Sequence, residues 1–208
     1  GGTLAFTNGP QGTLRGARGV KIAASWLSVS GGQIRGGATP PQRSPGQGVV
    51  ALASRITISG GDIDSVGLSQ SRAFLLGGRV GTLILSSIFV LDFFNPAHID
   101  PIAPPPPGAT SCVELRGGQV QGPIVVSEGS LFVVGSSFNL PFGEVPPADP
   151  GALDQIQLTG VLETGDAIDV VIRRPGGRVV LLDSGPPGSP QEILSAGECP
   201  RMGLTATR

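Results

Sequence analysis

Short runs of alternating apolar and polar residues, separated by glycine corners, recur along the chain. The stretch 26–35 contains the order apolar-x-apolar-x-Gly-Gly-x-apolar, and the same order follows Arg55, Arg72 and Cys112. Each run has strong strand preference over only three or four positions, which is too short for the arm of a hairpin. Because glycine tolerates the positive φ of a tight corner, the pattern predicts the coils of a β-solenoid, each stacked on the next.

The glycine pairs set the repeat. Successive pairs lie 29, 17 and 40 residues apart, so loops must absorb the differences in length. A single coil cannot bury its apolar face alone, whereas stacked coils give a continuous core of Val, Ile and Leu ladders. At about 20 residues per coil, we expect about four to six coils. The predicted repeat corners are Gly31, Gly32, Gly60, Gly61, Gly77, Gly78, Gly117 and Gly118.

The predicted architecture is all-β, a right-handed parallel β-helix (β-solenoid) with a small C-terminal antiparallel β-meander cap. The β-solenoid takes residues 1–143 and carries two proline-rich loops. The loop 38–48 can form neither strand nor helix, and polyproline II is expected in the loop 95–110. The cap takes residues 144–183, and a Pro/Gly-rich tail takes residues 184–208.

Individual strands can be placed at both ends of the chain. The N-terminal ones are expected at 3–6, 13–14, 20–23 and 26–29. Longer alternating strands at 154–162, 167–173 and 178–182, joined by short turns, predict the meander. Such a cap would cover the strand edges of the last coil, which otherwise template the stacking of another molecule.

Composition excludes several classes of protein. The 208 residues include 34 Gly and 20 Pro, but 39% are hydrophobic and the net charge is −1, unlike a highly charged disordered chain. The 14 Lys and Arg residues against 15 Asp and Glu lack the positive field that nucleic-acid binding requires. No apolar run approaches the roughly 18 residues of a membrane span.

The glycine-pair repeats, the segment 135–141 and the stretch 156–168 together resemble secreted bacterial glycine-rich β-helix proteins. In that family, glycine-rich coils precede a strand pair with the order Leu-Thr-Gly-x-Leu-x-x-Gly, often followed by a C-terminal surface-sorting segment. A sorting segment of the Pro-Glu-Pro type is missing from this sequence. The resemblance implies an exported protein, secreted or on the cell surface, and it carries no known catalytic residues.

Candidate chemistry is sparse, and we expect no enzyme activity, cofactor or metal. Asp62 and Asp64 are the best acidic pair, because a spacing of two on a strand points both side chains to one face. No second acidic cluster recurs at the repeat spacing, so solvated corner residues are the favoured interpretation. A groove of these two residues with Arg72 and Arg79 would indicate a carbohydrate-active enzyme. His98, the one histidine, is expected to be a surface side chain rather than a base or ligand.

Cys112 and Cys199 are the only cysteines, too far apart in sequence for a metal motif. In an exported protein they could form a disulfide that clamps the tail onto the solenoid, or they could remain two unpaired residues. A closed loop of 87 residues would stabilise the fold by roughly 4 kcal/mol in the chain-entropy model.

The functional expectation is a structural subunit of an extracellular or cell-surface filament, sheet or matrix, a homo-oligomer or polymer. One end of the solenoid, or a segment such as 1–8 or 183–208, would contact the neighbouring subunit. The alternative is a surface adhesin or glycan-binding module, which needs an exposed aromatic platform. A carbohydrate-active enzyme comes third. Trp26, the one tryptophan, is expected to pack at the solenoid end or beneath a loop.

Overall fold

The computed structural model describes residues 3–6, 13–15, 19–36, 48–86, 110–148 and 154–185. These residues form fourteen β-strands and no helix, so the predicted all-β class is confirmed and no helix among them could cross a membrane. The strands are β1 (Thr3–Phe6), β2 (Thr13–Arg15), β3 (Val20–Ala23), β4 (Trp26–Arg35), β5 (Val49–Leu52), β6 (Arg55–Ser69), β7 (Arg72–Leu85), β8 (Cys112–Val120), β9 (Ile124–Val126), β10 (Ser130–Ser136), β11 (Gly143–Glu144), β12 (Gln155–Leu162), β13 (Ala167–Arg173) and β14 (Arg178–Asp183).

Three stacks of parallel strand segments make up most of the sheet. The first stack runs from β1 through the opening segments of β4, β6, β7 and β8 to β10 and β14. The second stack contains β2 and the segments of β4, β6, β7 and β8 that follow the glycine pairs. The third stack contains β3, β5, the last segments of β6 and β7, β9 and the end of β13. The chain therefore visits the stacks in turn and returns to the first.

Alternate residues of each stack are buried opposite their register partners. In the first stack one such ladder joins six side chains of the apolar core, and a second, starting at Val29 and Ile58, runs beside it. Burying each Val, Leu or Ile stabilises the fold by roughly 1.5–3 kcal/mol. A slip of one residue in the pairing of a strand would turn its buried side chains outward, so burial also fixes the register. The six residues are Leu27, Ile56, Ala73, Val113, Leu131 and Val179.

The glycine pairs form the corner between the first and second stacks. Successive pairs lie on one another so closely that a Cβ on Gly77 would be 2.7 Å from the carbonyl oxygen of Ser59. A Cβ on Gly78 would be 2.7 Å from the carbonyl carbon of Gly60. The second glycine of each pair also adopts the left-handed region, with φ of 79°, 90°, 81° and 83° at Gly32, Gly61, Gly78 and Gly118. Both positions of the pair therefore require glycine.

Buried serines close the corner between the third and first stacks, a feature that the sequence analysis missed. Ser54 accepts a hydrogen bond of 3.2 Å from the N–H of Ser25 and donates one of 2.7 Å to the carbonyl of Leu52. Its own N–H donates a bond of 3.1 Å to the hydroxyl of Ser71. These bonds satisfy polar groups at a corner that is fully buried at Ser54 and Ser71.

The strands expected at both ends of the chain are confirmed, but the meander is only partly right. β12 and β13 form the predicted antiparallel pair, and the end of β12 pairs antiparallel with β10. β14 does not continue the meander, because it pairs in parallel with β10. The reason lies in the preceding turn: Gly177 and Arg178 donate backbone hydrogen bonds to the carbonyls of Val126 and Gly129, which places β14 over β10. The result is a mixed sheet.

Candidate functional site

The two aspartates that stand out in the sequence lie side by side in the second stack. Both bind the guanidinium of Arg35, whose Nη2 lies 2.7 Å from Asp62 Oδ2 and whose Nη1 lies 2.5 Å from Asp64 Oδ1. The N–H of Gly36 adds a hydrogen bond of 2.9 Å to Asp64. The hydrogen bond to Asp64 is the main reason that the pKa of Arg35 is raised above its ordinary value. A cation of the same chain therefore compensates both carboxylates, as in a structural ion pair.

The four residues of the conceivable catalytic groove do not come together. Arg79 follows the corner at Gly77 and is the register partner of Asp62. Arg72 precedes that corner and lies in the first stack, where its Nη2 is 2.8 Å from Glu114 Oε1. The corner thus separates Arg72 from Asp62, Asp64 and Arg79, and the groove is not formed.

A different set of side chains lies on the outside of the first stack, and we call it the arginine–aromatic face: Trp26, Arg55, Arg72 and Phe74. Trp26, Arg55 and Arg72 are successive register partners in β4, β6 and β7. The guanidinium carbons of Arg55 and Arg72 lie 5.0 and 4.7 Å from the centre of the Phe74 ring. Such contacts are cation–π interactions, each worth about 0.5–1 kcal/mol where exposed.

Trp26 forms the open end of this face. The residue is 51% exposed. That Trp26 packs at the solenoid end or beneath a loop stays a prediction. No described residue accepts a hydrogen bond from its indole N–H. An exposed indole combines an apolar ring with an N–H donor, so it is suited to contact with a partner.

Glu114 anchors the other side of the face. Only 3% of this residue is exposed, and its carboxylate binds Arg72 at 2.8 Å and Arg116 at 3.2 Å. Arg116 in turn lies 2.9 Å from Glu163, in the turn between β12 and β13. Because a buried carboxylate is costly without partners, the two arginines stabilise it and tie β8 to the C-terminal strand pair.

The same turn also binds the last glycine corner directly. Asp166 accepts a hydrogen bond of 2.7 Å from the N–H of Gly118 and another of 2.7 Å from the hydroxyl of Thr164. The bond from Thr164, followed by that from Gly118, holds the pKa of Asp166 below its ordinary value. Asp166 therefore satisfies a backbone donor of β8, so the turn is fixed on the end of the second stack.

Arg174 is the most buried cation of the described residues. It is 4% exposed, and its Nε lies 2.7 Å from Asp154 Oδ2. Its Nη1 and Nη2 donate hydrogen bonds of 2.5 and 2.7 Å to the carbonyls of Val145 and Pro146. One guanidinium therefore joins β13 to both ends of the connection between β11 and β12.

Two candidate residues of the sequence analysis, His98 and Cys199, lie outside the described residues. Cys112 is disulfide-bonded and buried. The pairing of Cys112 with Cys199 stays a prediction. In the described part of the chain, no group of three or more His, Cys, Asp or Glu side chains could hold a metal ion.

Trp26, Arg72 and the two aspartates stand out in the sequence, whereas Arg55 and Phe74 do not. The sequence does contain a signal that aligns Arg55 with the other two residues. Trp26, Arg55 and Arg72 each directly follow a serine at the start of a repeat. Comparison with known proteins adds no assignment, since no family model, curated protein or solved structure matches the chain.

Proposed function

We propose that the chain is a non-enzymatic structural subunit of an extracellular or cell-surface assembly. Its body would be a right-handed parallel β-helix, with the three parallel stacks as its faces and the β12–β13 pair closing one end. The sequential visits of the chain to the three stacks and the inward ladders support this architecture. The resemblance to secreted β-helix proteins supports export.

The difference between the two ends of the stacks carries the proposal. At the N-terminal end, β1, β2 and β3 each pair with a single described neighbour. Val20 donates its N–H to the carbonyl of Gly48, directly before β5, and Ala24 donates to the carbonyl of Leu52 in β5. Because backbone groups alternate along a strand, the N–H of Ala23 points to the other edge, where no described strand lies. Such an edge can pair with a strand of another chain.

At the other end, the outer edges of β12 and β14 are contacted along part of their length. Asn139 lies along β12, where its N–H and side-chain amide donate bonds of 3.1 and 3.0 Å to the carbonyls of Thr159 and Gln157. Its side-chain oxygen accepts a bond of 2.9 Å from the N–H of Thr159. β11 pairs with the outer edge of β14 at two positions, Gly143–Leu181 and Glu144–Val180. Covered edges of this kind block strand addition.

This asymmetry defines the first contact of the assembly. A head-to-tail filament would need unpaired edges at both ends. An end whose described strands each have one neighbour, opposite an end contacted by Asn139 and β11, favours an isologous contact between the β1–β3 edges of two copies. That contact closes at a dimer. A sheet, filament or matrix then requires a second contact elsewhere on the subunit, and the dimer would be its building block.

Sedimentation equilibrium over a wide concentration range tests the proposal, with two variants at one position. Ala23→Pro removes the outward N–H but leaves the bonds to β5, and proline is tolerated on an edge strand with its nitrogen facing outward. Ala23→Gly is the control at the same position, because it also changes the side chain but keeps the N–H. We expect dimers of the unmodified protein and of Ala23→Gly, and monomers of Ala23→Pro with unchanged circular dichroism.

Two results would refute this mode of association. One is a monomer of the unmodified protein at every concentration. The other is identical association of Ala23→Pro and Ala23→Gly, which would place the contact away from the β3 edge.

A further inference from the structure

The arginine–aromatic face has the features of a ligand site. Its residues stand on three adjacent strands of one rigid stack, and they combine an exposed indole, two guanidinium groups and a phenyl ring. None of these side chains is needed for the core, because the inward positions of the same strands, such as Leu27 and Ile56, supply it. Stacking of the coils therefore does not account for their presence.

The charges of the face are unequally paired. Arg72 binds the buried carboxylate of Glu114 at 2.8 Å. For Arg55, no carboxylate lies within ion-pair distance among the described residues, and its side-chain contact is the ring of Phe74. Contact with the ring positions the guanidinium, and its N–H donors make no hydrogen bond to a described residue. An ordered, unpaired guanidinium is suited to bidentate binding of a carboxylate.

Backbone groups take no part in this surface. β4 pairs with β1 and β6, β6 with β4 and β7, and β7 with β6 and β8 along the first stack. A ligand is therefore recognised through side chains alone. An extended peptide lying here would leave its own N–H and C=O groups without strand partners, which disfavours it. A sugar ring instead presents an apolar C–H face to an aromatic side chain and its hydroxyl groups to water.

We propose that the arginine–aromatic face binds an acidic saccharide. The carboxylate of a uronic acid residue pairs with Arg55, and an adjoining sugar ring stacks on Trp26. The two side chains are register partners on adjacent strands, about 4.8 Å apart at the backbone, so one ligand reaches both. This site lies on the side of the stack and is independent of the self-association proposed above.

The test measures binding of the full chain to soluble polygalacturonate by isothermal titration calorimetry. Three further probes separate the possible sources of affinity: the fully methyl-esterified polymer, neutral dextran and poly-L-glutamate. We expect binding of polygalacturonate at least about tenfold tighter than of its methyl ester, because the ester cannot form the charge-assisted pair with Arg55. Poly-L-glutamate supplies carboxylates without sugar rings, and we expect it to bind at least about tenfold more weakly as well.

Variants locate the site. Arg55→Gln and Trp26→Ala should each weaken binding about tenfold or more, and Arg55→Lys should restore only part of the loss, since lysine lacks the planar fork. Arg79→Gln is the matched control: it removes the same charge from an exposed arginine beyond the Gly77 corner, and binding should change less than about twofold. Circular dichroism of each variant checks that the fold is kept.

The proposal is overturned by absent binding to polygalacturonate, or by equal affinity for the polymer and its ester. Equal losses in Arg55→Gln and Arg79→Gln would show only diffuse attraction of a polyanion. Equal affinity for poly-L-glutamate and polygalacturonate would show that the site does not recognise a sugar ring. Sedimentation of Arg55→Gln keeps the two proposals apart, because loss of this site should leave self-association unchanged.

Discussion

Replacing single glycines by alanine separates the two reasons that the corners contain glycine pairs. Gly77 has no positive φ, but its added Cβ would meet the carbonyl oxygen of Ser59 at 2.7 Å. Gly78 has both constraints, with φ of 81° and a contact of 2.7 Å to the carbonyl carbon of Gly60. Gly165, in the turn between β12 and β13, has φ of 90° and nothing within 4 Å of the added atom.

The expected losses of unfolding free energy follow from these differences. In Gly165→Ala, a left-handed conformation costs roughly 1–2 kcal/mol, and lower entropy of the unfolded chain offsets roughly 0.4–1 kcal/mol, which leaves a loss of about 1 kcal/mol. In Gly77→Ala, the clash alone should cost about 1–3 kcal/mol. Gly78→Ala combines the two effects, and we expect a loss of about 2–4 kcal/mol.

Urea denaturation followed by circular dichroism measures all three variants against the unmodified protein. With a slope of about 2 kcal/mol/M, a loss of 2 kcal/mol lowers the midpoint by about 1 M. The order Gly165→Ala, then Gly77→Ala, then Gly78→Ala should give increasing destabilisation. If Gly78→Ala lost no more stability than Gly165→Ala, the close stacking of one glycine pair on the next would be wrong.

Two further predictions concern the C-terminal strands. Arg174→Ala should lower the free energy of unfolding, measured by urea denaturation, by about 3–5 kcal/mol, because it leaves the carboxylate of Asp154 without its partner at a largely buried site. Arg174→Lys should lower it less. Equal losses in the two variants would contradict a role for the guanidinium fork. For Asp166, the lowered pKa means a stabilisation that is present above the ordinary pKa of an aspartate and is lost as the pH falls through the folded-state pKa. The urea midpoint should therefore fall with acid more in the unmodified protein than in Asp166→Asn; parallel pH profiles would refute the contribution of this carboxylate.

The sequence predicts the fold well where the same local conformation recurs and requires the same type of residue each time. A glycine pair after two alternating apolar residues marks a corner because no other residue fits both its φ and its close stacking, as Gly77 and Gly78 show. Alternation likewise identifies inward residues such as Ile56 and Ile58, both fully buried. These signals are local, and they recur often enough to be read without a structure.

The placement of β14 could not be read in the same way. Its alternating pattern fits an antiparallel neighbour as well as a parallel one, because both bury every second residue. The parallel pairing of β14 is determined by backbone hydrogen bonds from Gly177 and Arg178 to Val126 and Gly129, which are about fifty residues earlier in the chain. A contact between distant residues leaves no periodic trace in the sequence.

The candidate site was harder still, since its residues meet only through register. Asp62 and Asp64 are two positions apart in the sequence and easily noticed, yet Arg35 already compensates both. Arg55 and Phe74 lie on different strands and come into contact because β6 and β7 pair in one particular register. Because the glycine pairs are 29, 17 and 40 residues apart, that register is hidden in the sequence until the glycine corners are aligned.

Burial along the outside of the first stack limits how large a ligand the arginine–aromatic face can hold. The outward column that begins at Ser28 and Thr57 is partly open, but it becomes buried at Glu114 and Phe132. A saccharide therefore has access to the rungs of β4, β6 and β7, a length of about 10 Å at the usual strand spacing. One face would bind only a short stretch of polymer, with modest affinity. A dimer joined through the edges of β1, β2 and β3 would carry two faces, and a polyanion long enough to reach both would gain avidity that a single disaccharide lacks.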